Sequence, residues 1–86
     1  MPQVIFKAAT PDALPSMQQL QTWGQAWSKA VPYAVWGQPV IHGSVATMNV
    51  SSLGVEQISR IIQPGINTYN QTHRDKTITV VVEADN

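Results

Sequence analysis

Two hydrophobic periods alternate along this chain, and their order limits the fold more than any other feature. Residues 3–8 repeat every second position, with Val4, Phe6 and Ala8 on one side and Ile5 and Lys7 on the other, the pattern of a short strand. A helical period follows. On a wheel at 100° per residue, Ala13, Met17, Leu20, Gly24, Trp27 and Val31 share an arc of about 80°, opposite Gln18, Thr22, Gln25 and Lys29, with Trp23 at the margin. Two prolines and three capping-type residues place the helix start between Asp12 and Ser16, Ser16 with Gln19 fits a capping box, and Pro32 supplies the stop.

The second half repeats the theme. Residues 33–36, rich in β-formers, and residues 40–50 read as two strands or one long bent strand, with Gly-Gln-Pro as a turn between them and Gly43 as a bulge or bend. Ser51 and Ser52 offer N-caps for a second helix, in which Val55, Ile58, Ile61, Ile62, Gly65, Ile66 and Tyr69 share one face, opposite Glu56 and Arg60. Pro64 lies inside it. A proline costs roughly 3 kcal/mol in a straight helix, so a kink or break is expected near residues 60–64. Residues 77–83 form a last strand with Ile78, Val80 and Val82 inward, and the valine run argues for a central position.

Strand, helix, strand, strand, helix, strand is the ferredoxin-like βαββαβ plan. Right-handed crossovers then put both helices on one face of a four-stranded antiparallel sheet, an α+β fold. Size limits this to one domain over residues 1–86. A chain of 9.4 kDa folds to roughly 5,000 Å² of accessible surface, burying about 63% of what the open chain exposes, enough for one core.

Charge narrows the functions. Only 12% of residues are charged, five basic and five acidic side chains cancel, and nine glutamines take up much of the deficit. Nucleic acid is disfavoured as a partner, because phosphate binding needs a concentrated basic stripe, whereas low net charge favours self-association. The chain has no cysteine, which excludes disulfides, a thiolate nucleophile and cysteine-bearing metal sites. His42 and His73 have no cysteine nearby and Asp12, Glu56 and Asp75 stand at no recognisable ligand spacing, no serine sits in a nucleophile motif, and the glycines form no phosphate loop, so no metal and no cofactor is expected. No signal-peptide pattern opens the chain and no apolar run reaches about 18 residues; a cytoplasmic protein is expected, in the host cytoplasm if viral, with no membrane partner.

One enzymatic reading has chemical shape. Removal of Met1 would leave Pro2 as a secondary amine at a strand start, and an apolar site would lower its pKa below the α-amino value of about 8, making a general base. In Pro2, and in a second half running strand, helix, Thr-Ile-Thr-Val-Val-Val-Glu, the chain resembles the N-terminal-proline tautomerases. The resemblance covers layout and one residue. It implies catalysis by Pro2, with arginines holding a carboxylated substrate; here Arg60 falls on the polar helix face and Arg74 in a loop.

The leading expectation comes from residues 23–40, which hold all three tryptophans and one charge, Lys29. Interface centres are rich in aromatic residues and poor in charge. A non-enzymatic protein-protein interaction module is therefore expected, binding a protein partner or itself through Trp23, Tyr33, Trp36 and Gln38, with Trp27 in the core. Small neutral chains of this kind are common among viral accessory proteins, as assembly components or inhibitors of a host enzyme.

Overall fold

The computed structural model describes residues 1–84. The elements run β1 (Gln3–Ala8), a 3₁₀ turn (Pro11–Ala13), α1 (Met17–Ala30), β2 (Val40–His42), β3 (Val45–Asn49), α2 (Val55–Thr72) and β4 (Ile78–Glu83). All four strands join one antiparallel sheet in the order β2-β3-β1-β4, the ferredoxin-like arrangement.

Period-two alternation in β1 separates the sheet faces. Val4 and Phe6 are completely buried and stand beside Ala46 and Met48 of β3 and Ile78 of β4. Leu20 and Trp27 of α1 and Ile58, Ile62 and Ile66 of α2 cover them, so both helices lie on this face. Among the described residues no polar or charged side chain is buried, which leaves apolar burial as the main source of stability. Ile5 turns to the other face, between Thr47 and Val81, and is still only 9% exposed.

The helix ends follow local chemistry. Ser16 caps α1, its Oγ accepting from the Gln19 N–H at 3.1 Å, so Met17 is the first helical residue and is exposed rather than inward. Ser51 and Ser52 do not cap α2. The Ser51 hydroxyl accepts from the Val35 N–H at 3.1 Å, and Ser52 has a left-handed φ of 67°. Gly54 takes the cap position instead, its N–H donating to the Gln57 side chain at 2.9 Å. The helix runs without a break through Pro64, which is exposed; the Arg60 carbonyl that loses its donor therefore lies on the solvent side, where water can serve it.

Three strand expectations change. Of residues 33–36, Tyr33 and Ala34 belong to a turn over residues 31–34, closed by Ala34 N–H to Val31 C=O at 3.0 Å, and only Trp36 bridges to Val50. Residues 40–50 divide into β2 and β3 around Gly43, whose φ of 61° suits the first loop position of a type II′ hairpin. Finally, β4 is an edge strand paired with β1 alone, although Ile78, Val80 and Val82 do face the core. The valine run reflects one covered face and a second, outer face carrying Val81.

Phe6→Ala should lower unfolding stability by about 3–5 kcal/mol in urea titrations, because the residue has no exposed surface. Pro64→Ala should raise it by about 1 kcal/mol or more, since it restores a helix donor without disturbing a buried side chain.

Candidate functional site

The aromatic residues divide into rings that build the core and one that does not. Phe6 stacks on Trp23 and Trp27 with centroids 5.9 and 6.4 Å away, and the two indoles stack on each other at 5.5 Å. Trp36 leans on Trp27 at 5.3 Å, and Tyr69 meets Trp23 edge-on at 5.3 Å. Each such contact adds about 0.5–1.5 kcal/mol beyond area burial. Trp27 is buried; Trp23 and Trp36 are half-buried members of the same cluster.

Tyr33 is absent from the cluster. It is 67% exposed, and Val35 is 66% exposed, while Ala34 between them is buried. Side chains alternate outward and inward here although no regular strand forms. Hydrogen bonds pin that backbone: Ser51 Oγ accepts from the Val35 N–H, the Ser51 N–H donates to the Val35 C=O at 2.9 Å, and the Gly37 N–H donates to the Asn49 C=O at 2.7 Å. Two large apolar side chains are thus held in water on a segment fastened to the end of β3.

Directly after this segment the chain opens a cleft of about 260 Å³ against α1. Trp36, Gln38, Gln21, Gln25 and Gly24 form its walls, with Met48 beneath. Gln21 Nε2 donates to Gln38 Oε1 across it at 3.4 Å. No lining side chain carries a formal charge. Amides can donate and accept, so such walls suit a neutral polar chain with an apolar side group. The Trp36 Nε1–H is buried with no hydrogen-bond partner, a loss of about 1–3 kcal/mol in a folded protein.

A second cleft, of about 440 Å³, lies between the helices, lined by Trp23, Pro64, Gly65, Tyr69, Thr72 and His73. Thr72 Oγ1 is 2.9 Å from His73 Nδ1, which invites comparison with a nucleophile and its base. Nδ1 also lies 2.9 Å from the Tyr69 carbonyl oxygen, which can only accept. Nδ1 therefore carries the proton and cannot take one from Thr72, whose hydroxyl is 3.1 Å from the carbonyls of Thr68 and Tyr69. His73 stacks on Tyr69 at 4.0 Å, and burial pushes the Tyr69 phenol above its usual pKa of 10.0.

Of the residues marked from sequence, Trp36 and Gln38 share the first cleft, Tyr33 stands on the turn leading into it, and Trp23 lines the second cleft on the other side of α1. Val35 is not among them: with Trp36 read as a surface residue, strand alternation turns Val35 inward, and only the packing of Trp36 on Trp27 puts Val35 outside. Pro2 is half-buried and its carbonyl accepts from the Val50 N–H at 2.9 Å; Pro2, Arg60 and Arg74 line neither cleft, and both arginines are exposed. Among the described residues no three His, Asp or Glu side chains gather as metal ligands, and no helix is long and apolar enough to cross a membrane. Comparison with protein families, curated proteins and solved structures finds no match.

Trp36→Phe should change stability by less than about 1 kcal/mol, because it removes an unsatisfied donor while keeping a ring against Trp27, whereas Trp27→Phe should lose about 2 kcal/mol or more. The Tyr69 phenol gives a pH signature. Its folded pKa lies above the unfolded value of 10.0, so the stability it contributes is whole below pH 10.0 and is lost as pH rises through the folded value. Urea midpoints measured across that range should fall, and Tyr69→Phe should flatten the fall.

Proposed function

We propose that this protein is a non-enzymatic binding module that takes a protein partner through Tyr33, Val35, Trp36 and Gln38, with the cleft beside α1 as the receiving groove. The observation that carries this reading is the exposure of Tyr33 and Val35 on a hydrogen-bonded backbone. An exposed aromatic beside an exposed valine offers a partner the kind of side chains that interface centres use, and rigid display removes much of the ordering entropy that binding otherwise loses.

The chemistry of the surface selects the partner class. From Ala13 to Val55 the only formal charge is Lys29, so phosphate backbones find little attraction, and stacking on Tyr33 would lack the cations that single-strand binders place beside their aromatics. A protein segment that offers an apolar side chain to the cleft and backbone amides to Gln21, Gln25 and Gln38 matches what is there. Trp23 and Trp27 serve this surface indirectly, by holding Trp36 and α1 in place. The same device would serve an assembly component or an inhibitor.

The test is capture from the native cell with wild-type protein and with the double variant Tyr33→Ala, Val35→Ser as bait. The variant should keep its unfolding stability within about 0.5 kcal/mol, because both side chains are solvent-exposed. It should lose the captured protein, with affinity reduced about 30-fold or more if Tyr33 is an interface anchor. Equal capture by both baits, or capture only of nucleic acid that salt releases, would refute the reading.

A further inference from the structure

The two edges of the sheet differ. At one edge, β2 has three residues and is preceded by Pro39; between the Trp36–Val50 and Val40–Thr47 pairs the chain carries one more residue on the β2 side than on the β3 side, a bulge. Short length, proline and a bulge are the usual defences of an exposed edge. At the other edge, β4 pairs with β1 through six unbroken positions and contains no proline, no lysine and no bulge. Among the described residues no strand lies beside it.

Register identifies the groups this edge presents. The Ala8 N–H donates to the Ser44 C=O and the Val50 N–H to the Pro2 C=O, so even-numbered residues of β1 turn their backbone groups toward β3. Odd-numbered residues of β1 therefore serve β4, and their partners Thr79, Val81 and Glu83 point back at β1. Ile78, Val80 and Val82 point outward. At Ile78 both outward groups are occupied, for Asn70 Oδ1 accepts from its N–H at 2.8 Å and Asn70 Nδ2 donates to its C=O at 3.0 Å. Asn70 acts as a one-residue strand partner and stops the edge there. Val80 and Val82 remain.

We infer that Val80 and Val82 pair with β4 of a second copy of this chain, two-fold and antiparallel. A second copy is the occupant that these groups fit. Placing Val81 on the two-fold axis sets Val80 opposite Val82 of the second copy, and Val82 opposite its Val80, so every outward N–H and C=O of the two residues finds a partner. Sliding the register to set Val80 opposite itself would bring Val82 against Ile78, which Asn70 already occupies. In the register with Val81 on the axis the carboxylate of Glu83 faces the hydroxyl of Thr79, no like charges meet, and the net charge of zero adds no long-range repulsion. On the outer face, the row Val40, Thr47, Ile5, Val81 continues through the axis into Val81 of the second copy, covering a valine that is 38% exposed in one chain. This surface is separate from Tyr33 and Val35.

Sedimentation velocity from micromolar to millimolar protein tests the pairing, with Val82→Pro as the probe. Proline at Val82 removes an outward donor and replaces a side chain that packs partly against the core, but it leaves the β1 hydrogen bonds in place, while the dimer should weaken about tenfold or more. The expected result is a concentration-dependent wild-type dimer and a folded, monomeric variant. A wild-type monomer throughout, or a variant as dimeric as wild type, would overturn the inference. If the variant fails to fold, amide exchange of the wild type decides: protection of Val80 and Val82 that rises with concentration supports the pairing, and fast exchange of both in a dimeric sample refutes it. A dimer abolished by Tyr33→Ala, Val35→Ser but not by Val82→Pro would place self-association at the other surface and likewise overturn it.

Discussion

Stacking of Phe6 on two tryptophans of α1 is the contact on which the other features rest. Phe6 lies near the centre of β1, one of the two inner strands, and the two indoles, four residues apart on α1, fix that helix over the sheet at one angle. A flat ring stack restricts rotation in a way that aliphatic packing does not. Trp36 then rests on Trp27, Tyr69 on Trp23, and both flanks of α1 acquire a cleft. With no buried polar side chain among the described residues, this stack also provides much of the geometric specificity that a hydrogen-bonded core would otherwise give.

Phe6, Trp23 and Trp27 are therefore scaffold, and the proposed binding surface begins at Trp36, where the stack ends. Ala34 and Trp36 face inward, and the residues between and before them, Val35 and Tyr33, are turned into solvent by the same alternation. Ser51 locks the arrangement from the opposite side, which explains why its hydroxyl is not free to cap α2. A low-charge stretch whose sequence suggests a surface of Trp23, Tyr33, Trp36 and Gln38 is in space a segment presenting Tyr33 and Val35, next to an amide-lined cleft.

Much of the fold was legible in the residues. Val4 and Phe6 alternate cleanly, the inward arc of α2 is partly or fully buried at every marked position, and Ser16 announces its helix, because each signal is local and nothing nearby competes. The failures come from competition and from distance. Ser51 lost its capping role to a backbone amide sixteen residues earlier in the chain. Pro64 does not end its helix because it falls on the exposed face. A run of valines records how many faces are covered and says nothing of how many neighbours a strand has, so β4 could not be placed at the edge. Trp23 and Trp36 remain half-buried while stacking on the core rings, an arrangement that composition alone does not reveal.

The central claim is that residues 31–38 display Tyr33 and Val35 on a rigid, preorganised backbone. Backbone amide relaxation by NMR measures this directly in the free protein. Order parameters of about 0.85 through residues 34–37, equal to those of α1, are the predicted result. Values below about 0.6 there would describe a flexible loop with two stray apolar side chains, and the claim would fail.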